Sequence, residues 1–191
     1  MLIMNMQQEL LSLSPDADAL LPLVNGGLHM AINENLHGKI SSVTTASLVP
    51  VSQDRIWDVL TDFEHYQDFL PAIRRLKVRR RAQETIIVSE VGLKLMGMGG
   101  YATFKQRICR EDPFLTLHDY DSRELTGFWK VMPVDDEETI LLHHSIVTDP
   151  GEFMSFLRWL IRVFPPSEIA LSVTPDVVMM QCMKKRIIHG A

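Results

Sequence analysis

Histidine is the side chain best suited to acid–base or metal chemistry at neutral pH, and this chain has seven histidines. His143 and His144 are adjacent in a stretch with strand character, so their side chains point to opposite faces and cannot bind one metal ion from there. His118 and Asp119 are restricted in the same way. The spacing therefore predicts no metal site, and it leaves open an acid–base pair such as Asp119 with His144 inside a cavity.

The other reactive residue types do not form a catalytic motif. The chain contains no nucleophile elbow, no HExxH and no paired-cysteine motif, and its two cysteines, Cys109 and Cys182, fit reduced thiols. The acidic residues 135–138 lack the spacing of a calcium loop and suit a solvated turn. We therefore assign no catalytic residue, metal ligand or cofactor from the sequence, and we favour a binding protein over an enzyme.

Residues 92–100 are rich in glycine and methionine and superficially resemble a phosphate-binding loop. The next residues have the pattern of a strand, so no helix N-terminus is available to hold a phosphate. An apolar hairpin tip at the mouth of a cavity fits better, with Leu95, Met96 and Met98 able to move against a ligand or a membrane. An ordinary hairpin explains the pattern equally well.

A basic run occupies residues 74–81. Its members are Arg74, Arg75, Lys77, Arg79, Arg80 and Arg81. Alternate residues of a strand share a face, so four of these cations, at positions 75, 77, 79 and 81, would lie side by side. Such a face suits an acidic membrane surface or an acidic protein, and a solvated outer sheet face is the simpler alternative. The lack of interleaved aromatic residues and the net charge of −5 argue against nucleic acid.

These residues must be positioned by a strand, a short helix and a series of further strands. Ser52 is a good N-cap for a helix whose apolar residues recur at i, i+3, i+4 and i+7, and Pro71 ends a second helical turn. Strands are predicted at 39–49, 73–82, 84–92, 101–111, 114–121, 126–134 and 139–148. Seven strands with short connections, and helices only after the first and the last, predict an antiparallel α+β sheet.

Several of these residues, with a later aromatic strand, form a pattern specific enough to compare with known families. They are Val49-Pro50, Ile56-Trp57, Leu60-Thr61-Asp62-Phe63, Tyr66, Phe69-Leu70-Pro71, the strand 73–81 and Leu125-Thr126-Gly127-Phe128-Trp129-Lys130-Val131. The pattern resembles the START-like polyketide cyclase/dehydrase superfamily (SRPBCC, Bet v 1-like), and within it the coenzyme Q-binding and small bacterial cyclase-like branch. The resemblance implies a helix-grip fold, in which a curved seven-stranded antiparallel sheet wraps around a C-terminal helix and leaves an apolar cavity. It implies little about chemistry, because this fold serves carriers, cyclases and inert binding modules.

The N-terminal residues 1–38 fall outside that pattern. They form an acidic, apolar arm without Lys or Arg, which excludes a mitochondrial transit peptide and disfavours a secretory signal. We expect the arm either to fold back on the helix-grip domain, residues 39–191, or to contact another protein. No apolar run reaches the ~20 residues of a membrane span, so we expect a cytoplasmic protein, with peripheral membrane contact left open.

A second departure is an inserted amphipathic segment at residues 151–173. Its first part, 151–164, repeats aromatic and aliphatic residues at helical spacing, with Arg158 and Arg162 beside them. This part either packs against the sheet or forms a lid or interfacial helix.

The final helix, which the sheet should grip, is predicted at about 175–189. Thr174 would be its cap, and Pro175 would occupy its first position. The alternative is a longer helix that begins near Ser167 and is kinked at Pro175.

The function indicated by this pattern is to bind and carry, or shield, an apolar small molecule such as a quinone, isoprenoid, pigment or acyl lipid. We predict that the ligand is lined or gated by Phe63, Tyr66, Phe69, Met96, Met98, Phe104, Phe128, Met132, Met180 and Met183. One alternative is an accessory or assembly subunit that docks through its arm and residues 151–164. Another is a polyketide cyclase or dehydratase, which an internal pair of a histidine and a carboxylate would favour.

Overall fold

The computed structural model describes residues 15–80, 84–95, 98–147, 155–164 and 166–190, without the side chains of 93–95, 98, 99, 155 and 156. The helices in this part of the chain are α1 (Ala17–Val24), α2 (Gln53–Thr61), a 3-10 turn (Phe63–His65), α3 (Tyr66–Phe69), α4 (Ser155–Val163) and α5 (Ser167–His189). The strands are β1 (His29–Glu34), β2 (Ile40–Val49), β3 (Ile73–Arg80), β4 (Thr85–Leu95), β5 (Met98–Glu111), β6 (Phe114–Asp119), β7 (Leu125–Pro133) and β8 (Thr139–Ile146).

All eight of these strands form one antiparallel sheet in the order β1-β2-β8-β7-β6-β5-β4-β3. This sheet and the long C-terminal helix confirm the predicted α+β class and the helix-grip arrangement. The sheet has one strand more than predicted, because β1 lies within the N-terminal arm and pairs with β2. The side chains of β1 are mostly exposed, so it lacks the apolar–polar alternation that reveals a half-buried strand. The division of the chain at residue 38 stays a prediction.

The sheet has an inner face, which packs on α5, and an outer face. Trp129 and Leu141 lie on the inner face, in one buried cluster with Met180 of α5. Their sequence neighbours Phe128 and Leu142 lie on the outer face, since successive residues of a strand point to opposite sides. Both faces therefore carry apolar residues, and each needs its own cover.

α2 and α3 complete the inner core. Ser52 takes the extended conformation of an N-cap, as predicted, although its side chain makes no capping hydrogen bond. Ile56, Leu60 and Phe63 are buried in the inner cluster. The hydroxyl of Tyr66 donates a hydrogen bond to the carbonyl of Leu60 over 2.7 Å, which ties α3 to the end of α2.

α5 is one continuous helix of 23 residues, Ser167–His189, with Pro175 inside it. The longer alternative is therefore correct, and the predicted start at Pro175 with a Thr174 cap is wrong. Burial explains the difference: Ser172, Asp176 and Met180 all face the protein interior at helical spacing. Among the described helices, none is both long and apolar enough to cross a membrane.

α1 covers part of the outer face. Leu20 and Val24 are buried against Phe128 and Leu142 of the sheet. Lys130, which is also buried on this face, donates a hydrogen bond from Nζ to the carbonyl of Pro15 over 3.0 Å. Residues 15–24 of the N-terminal arm thus fold back on the sheet.

Candidate functional site

The centre of the inner face combines an aromatic surface with polar groups. His143 on β8 is the register partner of Thr45 on β2 and of Trp129 on β7, so the three side chains share the inner face. The imidazole of His143 lies against the indole of Trp129, with ring centroids 4.3 Å apart and planes tilted by 42°. Adjacent strands therefore hold the histidine in a fixed place beneath α5.

A buried carboxylate from α5 meets this histidine. His143 Nδ1 lies 3.0 Å from Asp176 Oδ1, and the two side chains are only 4% and 8% exposed. Nδ1 nevertheless has no hydrogen bond of good geometry, because the carboxylate lies off the direction in which the ring nitrogen would donate. The pair is a close contact of potentially opposite charges that a small movement, or a bound molecule, could align.

Three buried hydroxyl groups on the same elements as the pair, or on the neighbouring strand β2, have no partners. Thr45 Oγ1, Ser145 Oγ and Ser172 Oγ are buried and accept or donate no hydrogen bond within the described part of the chain. Ser145 lies two positions beyond His143 on the same strand face, and Ser172 lies one helical turn before Asp176. A buried polar group without a partner costs roughly 1–3 kcal/mol, so these atoms are suited to receive a polar atom of a ligand or a water molecule.

The next polar contact along the inner face shows the usual arrangement. Lys184 of α5 donates a hydrogen bond from Nζ to Ser47 Oγ over 2.8 Å, and burial lowers the pKa of this lysine. Ser47 is only two positions from Thr45 on the same face of β2. Among the residues that the structure describes, the unpartnered buried side-chain atoms thus belong to His143, to hydroxyl groups on its face of the sheet and to Ser172 of α5. The neighbouring hydroxyl, that of Ser47, has a hydrogen-bond partner within the protein.

His144 faces the opposite side, as its position in a strand predicts. Its Nδ1 lies 2.8 Å from Thr44 Oγ1, and its ring stacks on Phe128 with centroids 5.0 Å apart. Burial lowers the pKa of His144, the neighbouring His143 lowers it further, and Asp176 opposes the shift. His144 is therefore a structural residue of the outer core.

The structure does not bring Asp119 to His144. Asp119 Oδ1 accepts hydrogen bonds from the backbone N–H groups of Asp121 and Ser122 at 3.0 and 2.8 Å, which orders the turn after β6. Hydrogen bonds from the turn, those of Ser122 above all, lower the pKa of this carboxyl. The internal histidine–carboxylate pair is made by His143 and Asp176.

Asp176 was not among the residues predicted from the sequence. It directly follows Pro175, so it had the appearance of a first-turn acid of a helix that starts there. A usable signal was present: Asp176 precedes Met180 by one helical turn, on the stripe that was predicted to face the sheet.

The predicted ligand-lining residues fall into separate groups. Phe63, Met180 and Met183 are buried in the inner cluster, and Tyr66 and Phe69 pack at its edge. Burial raises the pKa of Tyr66. Their role as ligand contacts stays a prediction.

The other five predicted lining residues divide among the outer face, β5 and the part of the chain that the structure does not describe. Phe128 and Met132 are on the outer face with α1, away from the inner group. Phe104 is half-buried on β5 and shares the inner face of the sheet with Ile108, which lies four residues further along the strand and belongs to the inner cluster. Met96 and the side chain of Met98 lie outside the described residues, so the hairpin-tip prediction is not addressed.

The basic run lies on β3 and divides as the strand pattern predicted. Leu76 and Val78 pack on the inner cluster, and the alternate cations at positions 75, 77 and 79 are exposed on the outer face. Arg80 forms an ion pair with Glu64 at 2.8 Å, and Arg74 lies over the ring of Tyr101. Arg81 lies outside the described residues.

The sequence and the fold were compared with known proteins. Residues 49–164 match the model of a family described as "Polyketide cyclase / dehydrase and lipid transport". The chain belongs to this family. A search of curated proteins with this sequence finds no match.

Several solved structures have a fold similar to that of this chain. A STAR-related lipid transfer protein from Xanthomonas axonopodis matches 84% of this chain and 93% of its own length, with 10% identity and a TM-score of 0.58. The di-domain ARO/CYC protein BexL matches 78% of this chain and 50% of its own, with 10% identity and a TM-score of 0.54. TTHA0849 from Thermus thermophilus matches 78% of this chain and 99% of its own, with 14% identity and a TM-score of 0.50.

Proposed function

We propose that this protein binds and carries, or shields, an apolar small molecule between the inner face of its sheet and α5. The supporting observation is the group of unpartnered polar atoms within the buried, apolar inner face. A polar end of an otherwise apolar ligand would satisfy these atoms, and the rest of the ligand would replace contacts among Trp129, Met180 and Met183. Membership of a family of cyclases and lipid-transport proteins supports the same function.

The ligand classes that fit this proposal are a quinone of the coenzyme Q type, an isoprenoid, a pigment and an acyl lipid. Each combines a large apolar part with a small number of oxygen atoms. Burial of apolar surface contributes about 25 cal/mol per Å² before the costs of ordering the ligand are subtracted. The methionines of α5 can adapt to different apolar shapes, because their side chains are unbranched and flexible.

An acidic partner, either a membrane surface or a protein, is the second part of this proposal. Arg75, Lys77 and Arg79 project from the outer face of β3, away from the inner site. Attraction between these cations and an acidic surface would hold the carrier close to the place where it loads or releases its ligand.

Native mass spectrometry of gently purified protein, followed by solvent extraction, tests the binding function. A stoichiometric prenyl, quinone, pigment or acyl species would support the carrier and identify its ligand. An empty protein that also fails to take up members of these four classes would overturn the proposal. Co-purification with another protein, without a small molecule, would favour an assembly subunit instead.

Two matched substitutions locate the site. Met180→Phe adds volume on the inner face, and Met132→Phe adds similar volume on the outer face under α1. We expect only Met180→Phe to weaken uptake of the extracted ligand, by roughly tenfold or more for a one-sided steric conflict. Equal affinities for the two variants would place the ligand elsewhere.

A cyclase or dehydratase is the second candidate function, and the His143–Asp176 pair favours it. His143 could remove a proton from a CH₂ group between two carbonyls of a poly-β-ketone, with Asp176 stabilising the imidazolium that forms. The enolate carbon would attack a second carbonyl of the same chain, and His143 would return the proton to the new alkoxide. Loss of the hydroxyl group and a neighbouring hydrogen as water would complete the dehydration.

Incubation of a linear poly-β-ketone with the purified protein tests this activity, with the ring closure and water loss followed by mass spectrometry. His143→Gln should lower the rate by about 10²–10⁴-fold, the usual contribution of a general base, and Asp176→Asn should lower it because the imidazolium loses its stabilising carboxylate. His144→Gln is the matched control and should leave the rate unchanged. A rate equal to that of the uncatalysed reaction would exclude this function for the substrate used.

A further inference from the structure

Four large apolar side chains are exposed on α4, directly after it and at the start of α5. Trp159, Val163, Phe164 and Ile169 are 55%, 62%, 58% and 56% exposed. Trp159 and Val163 are four residues apart, so they lie on one face of α4. Leu157 is buried and fixes the opposite side of the helix to the protein. Such a concentration of exposed aromatic and aliphatic groups marks an interaction surface.

A basic row lies beside the apolar row. Arg158 and Arg162 are also four residues apart and exposed, each next in sequence to a member of the pair Trp159 and Val163. The described residues 155–164 contain no aspartate or glutamate. A tryptophan, a phenylalanine and arginines on one short helix are the combination that the boundary between lipid head groups and acyl chains favours. An acidic protein surface would match the positive charges of Arg158 and Arg162, but it would not explain the exposed apolar row beside them.

The position of α4 connects this surface to the inner site. α4 packs against α5 and directly precedes it in the chain. The first turns of α5 carry Ser172, and the end of β8 before α4 carries Ser145, so both unpartnered hydroxyls lie towards the α4 end of the inner face. A surface that α4 contacts is therefore close to the polar part of the site.

We propose that α4 is a membrane-contact helix for bilayers that contain anionic lipids. Trp159, Val163 and Phe164 enter the head-group boundary, and Arg158 and Arg162 contact the lipid phosphates. A helix of nine residues that inserts Trp159 and Val163, with Phe164 directly after it, gives reversible binding rather than permanent anchoring. This inference goes beyond ligand binding: α4 makes the main contact with the bilayer, and the exposed cations of β3 add only a weaker electrostatic attraction.

Tryptophan fluorescence with lipid vesicles tests the inference directly. The chain has three tryptophans, and Trp57 and Trp129 are only 6% and 2% exposed, so Trp159 is the residue whose emission should respond to lipid. We expect a blue shift with vesicles of equal parts phosphatidylcholine and phosphatidylglycerol, and quenching by lipids brominated on their acyl chains. Unchanged emission in the presence of excess vesicles overturns the proposal.

Two pairs of variants separate α4 from the rest of the surface. Val163→Ser with Phe164→Ser should weaken vesicle binding by more than tenfold, whereas Met30→Ser with Ile32→Ser, on the exposed side of β1, should not change it. Arg158→Gln with Arg162→Gln should lower the affinity for vesicles about thirtyfold at low salt, which is about fivefold for each arginine. Arg75→Gln with Arg79→Gln should lower that affinity much less.

Other outcomes of these measurements would contradict the proposal. If the α4 and β3 arginine variants lost the same affinity for vesicles, the binding would be a diffuse electrostatic attraction rather than a contact by α4. Self-association in size-exclusion chromatography that Phe164→Ser abolishes, without vesicle binding, would show that the patch joins two copies of the chain. Circular dichroism and thermal unfolding verify that each variant folds, which exposed positions should permit.

Discussion

His143 and His144 are identical side chains at neighbouring positions of β8, and strand alternation gives them different surroundings. His143 meets Asp176 and unpartnered hydroxyls on the inner face. His144 is enclosed on the outer face by Thr44 and Phe128. Strand periodicity predicted this separation from the sequence. It could not predict that a carboxylate from α5 would lie opposite His143, because that contact depends on how a distant helix packs.

The lowered pKa of His144 predicts that its burial destabilises the protein in acid. Burial is the main cause of the shift, with His143 adding to it and Asp176 opposing it. In the unfolded chain His144 takes up a proton near pH 6.5, but in the folded protein it does so only at lower pH. The free energy of unfolding should therefore be unaffected above about pH 6.5 and decrease as the pH falls below it, by up to about 1.4 kcal/mol per pH unit.

Urea unfolding between about pH 7.5 and 5 measures this dependence. His144→Asn retains a side chain able to hydrogen-bond Thr44 but removes the titrating ring, so its stability should fall less steeply in acid. His37→Asn, at an exposed position, is the control and should behave as the unmodified protein does. Parallel curves for all three proteins would contradict the assignment of this effect to His144.

The buried pair of His143 and Asp176 allows function to be separated from stability. Asp176→Leu alone leaves the buried Nδ1 of His143 without its neighbouring carboxylate and should lower the free energy of unfolding by about 1–3 kcal/mol. The double variant His143→Leu with Asp176→Leu should recover most of that loss, since replacing both partners of a buried polar pair by apolar groups can be nearly neutral. Chemical denaturation of both single variants and the double variant gives the coupling energy. A double variant that is less stable than either single variant would show that the pair is needed for the fold rather than for a ligand or a reaction.

At the scale of secondary structure elements, α5 shows where local sequence signals and tertiary contacts disagree. Thr174-Pro175 is typical of a helix start, and it stands in the first half of a continuous helix. The buried stripe that includes Ser172, Asp176 and Met180 continues through this point. Burial of that stripe outweighs the hydrogen bond that Pro175 cannot donate to the carbonyl of residue 171. Sequence could predict the face of α5 but not its length.

Pro175→Ala should stabilise the protein. Alanine restores the amide hydrogen and relieves the proline ring, which costs about 3 kcal/mol in a helix interior, and the greater freedom of the unfolded chain offsets part of this gain. We expect an increase of about 1–3 kcal/mol in the free energy of unfolding, because Pro175 is exposed and its replacement leaves the buried stripe intact. Thr174→Ala is the matched control on the exposed side and should gain about 0.5 kcal/mol or less from helix propensity alone. An equal change in the two variants would mean that Pro175 is not a source of strain in α5.

The strands of the sheet differ in how clearly they can be predicted from the sequence. β3 alternates apolar and polar residues, β7 and β8 carry short apolar runs, and breaker residues mark the turns, so the antiparallel class of the sheet followed from the pattern. β1 has no such alternation, and its pairing with β2 is visible only in the sheet. Edge strands are stabilised by backbone hydrogen bonds, which carry no side-chain signature.

At the scale of the whole molecule, the sheet is covered on both sides by elements from opposite ends of the chain. α5 covers the inner face, and α1 covers the outer face at β2, β7 and β8. The outer face at β3 carries exposed cations instead. This division explains why the aromatic residues Phe128 and Trp129 are buried on opposite sides, which the assignment of a single apolar cavity from sequence did not anticipate.

The cover provided by α1 makes a prediction about the N-terminal arm. Leu20 is 4% exposed and packs against the outer face, whereas Leu23 on the same helix is 52% exposed. Leu20→Ala should lower the free energy of unfolding by about 2–4 kcal/mol through lost burial and the cavity left behind, and Leu23→Ala should change it by less than about 0.5 kcal/mol. Chemical denaturation measures both values, and increased binding of a hydrophobic dye to Leu20→Ala would show exposure of the outer face. Equal stabilities for the two variants would mean that α1 is a detachable arm, free to contact another protein, rather than part of the folded core.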